Sequence, residues 1–177
     1  MSGGLWGKLP SRGDFVRIGL TRGFSDPWDA WLSRVLVESR AALGESWLSA
    51  WLVAPIWRFC LAAGVCGPDA MLGVWMPSVD NAGRHYPLTL AVPVPGFVAH
   101  EGAAVDWLDA AEDAGLAALS ELLDPDVVAA RLPALGSCQA SAGRVAWTPE
   151  RRGVWGGGHA PPSACLPTGP EFAAMLA

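Results

Sequence analysis

Ser78, Asp80 and His85 sit in one polar stretch, MPSVDNAGRHYPLTLA at 76–91, and are the residue types of a nucleophile, its orienting acid and its base. A second stretch, GKLPSRGDFVR at 7–17, brings Ser11, Arg12, Asp14 and Arg17. Arginines and aspartates in two such loops suit ion pairs between them, because the guanidinium fork matches a carboxylate. A hydrolase triad, however, needs groups converging from separate segments and a nucleophile on a strained elbow. Here all three occupy one loop and no GxSxG is present. Gly7-Lys8 lacks the upstream glycine and the following Ser/Thr of a Walker A loop, and Gly156-Gly157-Gly158 reads as a turn. Arg12-Gly13-Asp14 spells an integrin-type tripeptide, which three residues match by chance. His85, His100 and His159 stand apart from one another and from thiols, so no metal and no cofactor is expected.

The two stretches make better sense together. Only 16% of the residues are charged, against about 25% in an average domain. Charge concentrated in loops of a sparsely charged chain points to a recognition surface or an internal clamp. Each loop leaves a strand, so both can meet at one end of a sheet, with Ser11, Arg12, Asp14 and Arg17 beside Ser78, Asp80, Asn81, Arg84 and His85. The expected ion pairs are Arg12 or Arg17 with Asp80, or Arg84 with Asp14. Arg84 is expected to lie buried against a loop carboxylate, as part of a clamp. The alternative is a small-ligand sensor or hydrolase-like enzyme built on loops 11–17 and 78–85.

The elements that must hold these loops follow from periodicity. A strand over 5–9 leads into the first loop. Ser25-Asp26-Pro27 reads as a helix start, with Asp26 as cap, Pro27 in the first turn and Asp29 near the positive end. Trp28, Trp31, Leu32, Val35, Leu36 and Leu43 keep helical spacing up to the stop at Gly44. A short helix with Trp47, Leu48 and Trp51 on one side ends before Pro55. These tryptophans read as core. Residues 56–93 alternate as a three-stranded antiparallel meander closed by Pro93 and Pro95. A helix over 103–123 turns Val105, Leu108, Ala111, Leu119 and Leu122 inward and presents Asp106, Asp109 and Asp113 as a solvated acidic face. Asp124-Pro125 opens another helix that stops near Pro133. A strand falls within 136–150 and another at Val154-Trp155. Thr168 and Glu171 form a capping box for a last helix over 172–176. The fold class is α/β: a single domain over 1–177, with a mainly antiparallel sheet of about five strands flanked by helices.

Composition limits the partners. Hydrophobic residues make up 51%, mean hydropathy is +0.29, and there are ten tryptophans, each with an N–H that needs an acceptor when buried. So much apolar surface implies a large core and a patch available to a partner. A net charge of −5, with twelve scattered basic residues, excludes nucleic acid as a partner. The stretch 48–67 superficially resembles a membrane span, but Pro55 and Arg58 interrupt it and no membrane insertion is expected. The opening MSGGLWGKLPSRGDF has no apolar run after a basic start, so no secretory signal is expected. Cys60, Cys66, Cys138 and Cys165 form no CxxC pair and read as reduced, mostly buried thiols of a cytosolic protein.

Several blocks in order resemble the TagF/ImpM family of type VI secretion accessory proteins. Gly7-Lys8-Leu9-Pro10-Ser11-Arg12-Gly13-Asp14-Phe15-Val16 is similar to its opening signature. Trp28-Asp29 with Trp31-Leu32, and Pro55 with Trp57-Arg58-Phe59, resemble the next two blocks. Met76-Pro77-Ser78-Val79-Asp80, Gly83-Arg84 and Pro87-Leu88 resemble the most recognisable one, while 136–160 resembles the family least. The resemblance implies a profilin- or longin-like α/β sandwich. It also implies a cytoplasmic, non-enzymatic negative regulator that restrains assembly of the secretion apparatus after translation. Its implied partner is a forkhead-associated-domain scaffold protein of that system. Some relatives carry a fused PP2C-type phosphatase; a chain of 177 residues with no metal-binding aspartate motif is not expected to hold one.

Overall fold

The computed structural model describes residues 2–98, 102–140, 145–149 and 165–176. Six antiparallel strands form one open sheet: β1 (Gly4–Gly7), β2 (Val16–Ile18), β3 (Trp57–Leu61), β4 (Ala70–Met76), β5 (Leu88–Val94) and β6 (Val145–Pro149). Their order across the sheet is β2-β1-β5-β4-β3-β6. The expected meander is present as β3, β4 and β5, in the register Trp57↔Trp75 and Trp75↔Thr89. Pro93 stays inside β5 rather than ending it, opposite Met71. β1 reaches only to Ala91 on the other side of β5, so Pro93 lies past the strand that would have wanted its N–H. The sixth strand is β2, a three-residue segment that the sequence reading left inside the polar loop. The expected strand at 154–155 lies outside the described residues.

Both faces of this sheet are covered, which is why β4 is buried along its whole length. On one face Trp57, Phe59, Met71 and Trp75 pack against α1 (Arg22–Leu43), α2 (Trp47–Val53) and α5 (Gly169–Leu176). On the other, Leu72, Val74, Leu90 and Val92 pack against α3 (Ala103–Ser120), with α4 (Pro125–Arg131) alongside. Alternate residues of each strand thus feed two cores. Of the buried tryptophans, Trp28 donates to Thr89 Oγ1 at 2.9 Å, Trp31 to the Pro167 carbonyl at 2.8 Å and Trp57 to the Met175 carbonyl at 3.0 Å, whereas the indole nitrogens of Trp75 and Trp147 meet no acceptor among the described residues. No helix among the described residues is long and apolar enough to cross a membrane.

Three local expectations need correction. α1 begins at Arg22, not near Asp26, because the Thr21 carbonyl already accepts from the Phe24 and Ser25 amides. Pro27 therefore sits within the helix, and Asp29 accepts from the Tyr86 hydroxyl at 2.6 Å instead of serving the helix end. Leu122 does not face inward; it is exposed and caps α3 with φ 54°. The acidic face of α3 is only partly solvated. Asp109 pairs with Arg58, and Glu112, one turn on, is buried against the same guanidinium.

Candidate functional site

The chain brings its two polar loops together at the end of β1. Gly7 has φ 131°, and a Cβ there would collide with the Pro87 carbonyl oxygen. Glycine lets β1 pass against Pro87 and delivers Lys8 beneath the second loop. The Lys8 ammonium then bonds Asp80 Oδ2 at 2.6 Å, with both side chains shielded from water. Ser78 Oγ donates to the Lys8 carbonyl at 2.7 Å.

Asp80 organises its own loop. Its Oδ1 accepts from the Ala82 amide at 3.0 Å and the Arg84 amide at 2.9 Å, and Gly83 turns the chain with φ 80°. Arg84 Nε reaches Asp80 Oδ2 at 2.7 Å, and its terminal nitrogen donates to the Gly13 carbonyl of the other loop. The Asn81 amide donates to the Arg12 carbonyl at 3.0 Å. Burial works against the Asp80 carboxylate, but the Lys8 ammonium and the Arg84 amide and guanidinium hold its pKa well below the usual range.

Phe15 pins the first loop from outside. Its ring stacks on Trp6 at 5.3 Å, meets Tyr86 edge-on at 4.7 Å and lies under the Lys8 ammonium at 5.0 Å. Ser11 Oγ donates to the Leu123 carbonyl at 2.7 Å and Arg12 pairs with Asp124, so the α3–α4 corner is tied in as well.

The expected residues are therefore sorted as follows. Ser78 and Asp80 are buried, and Ser11 joins the clamp through Leu123. Arg12 pairs with Asp124 and not with Asp80. Arg17 is exposed on β2, opposite Trp6. Arg84 does pair with Asp14, at a long 4.0 Å, but it is 57% exposed rather than buried. Its place as the buried cation is taken by Lys8, whose signal in the sequence was a lysine two positions past the aromatic Trp6 on an otherwise apolar strand.

His85 does not complete a triad. Its ring meets Trp47 and Trp51 edge-on at 5.9 and 6.4 Å, and among the described residues no hydrogen bond joins it to Ser78 or Asp80. Both Ser78 and His85 line a mostly apolar cleft of roughly 210 Å³ with Pro10, Trp51, Leu52 and Leu119. Burial pushes the thiols of Cys60 and Cys66 up to about 12, so neither is a ready nucleophile. Among the described residues no group of three metal-ligating side chains forms a site.

A clamp built from 8–15, 78–86 and the α3–α4 corner falls inside the region matched by one family model. That model, the TagF N-terminal domain, type VI secretion system-associated, matches residues 4–135. The chain belongs to this family. The crystal structure of PA0076 from Pseudomonas aeruginosa PAO1 is similar, with a TM-score of 0.80 and 32% identity over 99% of this chain and 94% of that one. No curated protein matches. The family match ends at Leu135, before β6 and α5, and so leaves out the stretch 136–160 that resembles the family least, as well as Leu166-Pro167, Phe172 and Leu176, which resemble the family's close.

Proposed function

We propose that this protein is a cytoplasmic accessory protein of the type VI secretion system that restrains assembly of the apparatus after translation, by binding and not by catalysis. Its partner in this reading is the system's forkhead-associated-domain scaffold protein. Membership of a secretion-associated family supports the setting. The observation that carries the binding reading is that the clamp spends its reactive groups on itself. Ser78, Lys8 and Asp80 are bonded to one another's segments, and Asp80 accepts from four donors. A base needs a free lone pair facing a substrate and a serine nucleophile needs a base to take its proton, whereas Ser78 gives that proton to a backbone carbonyl. The adjoining cleft, at roughly 210 Å³, is also below the ~300–1,000 Å³ usual for small-ligand pockets.

The experiment is co-purification from a type VI-competent host together with a secretion assay on the deletion strain. Recovery of the scaffold protein and increased secretion are expected. Unaltered secretion with no scaffold recovered would end this reading.

A further inference from the structure

We draw no further inference here: the strongest candidate, the mostly apolar cleft lined by Trp51 and Leu52 of α2 and Leu119 of α3, carries nothing, because nothing in the structure shows what covers it.

Discussion

Lysine 8 and arginine 84 share one carboxylate but not one environment, and stability should divide between them accordingly. Lys8→Met leaves Asp80 buried with a single, mostly exposed cation, and is expected to cost about 3–5 kcal/mol. Arg84→Ala removes contacts that water largely screens and should cost about 1 kcal/mol. Urea unfolding of both variants checks the order; equal losses would mean that Arg84 is the buried partner after all. Asp80 also sets a pH dependence. Its pKa is lower folded than unfolded, so its contribution is complete above the ordinary carboxylate value of about 4 and is lost as pH falls below that. Asp80→Asn should therefore flatten the stability curve from about pH 4 downward, on acid titration of the folded fraction. The sequence displayed the loop residues plainly but not which cation was buried. Burial depends on Gly7 letting β1 touch Pro87, a contact eighty residues apart in the chain that no local pattern encodes.

Among the elements, those with long periodic runs were legible: the α1 stripe, the β3–β5 meander, the Asp124 cap and the Thr168–Glu171 box. In the last, Glu171 Oε2 accepts from the Thr168 amide at 2.7 Å and from its hydroxyl at 2.8 Å. Thr168→Ala should cost about 1 kcal/mol through α5, whose Phe172 packs on Trp31 and Trp75. β2 was not legible, because three residues give alternation too little length to register. Glu112 was missed for a different reason. It is spaced with Leu108, Ala111 and Gly115 on the apolar face of α3, so the helical period placed it inside, while its charge argued for solvent. Arg58, buried in the middle of β3, resolves that conflict. Glu112→Ala removes the buried carboxylate from Arg58 and leaves the half-exposed Asp109 as its remaining ion-pair partner among the pairs described, and a loss of about 3–5 kcal/mol is expected on thermal or urea unfolding. A change under about 1 kcal/mol would show that Asp109 alone satisfies Arg58.

At the scale of the molecule, the sheet separates two cores and the clamp ties three segments at one corner, beside an apolar face of α2 that no other described element covers. Ten tryptophans in a chain of this length argued for a large core, and the core absorbs most of them. Composition also forecast a surplus patch but did not place it: Leu48, expected on one side of α2 with Trp47 and Trp51, is exposed while both tryptophans are buried. The central claim is that the protein acts by binding and leaves its partner chemically unchanged. Calorimetric titration of the purified protein into the system's forkhead-associated scaffold protein tests this most directly. Saturable binding is expected, with both proteins recovered at their original masses. An absence of binding heat, or a scaffold recovered with altered mass, would contradict it.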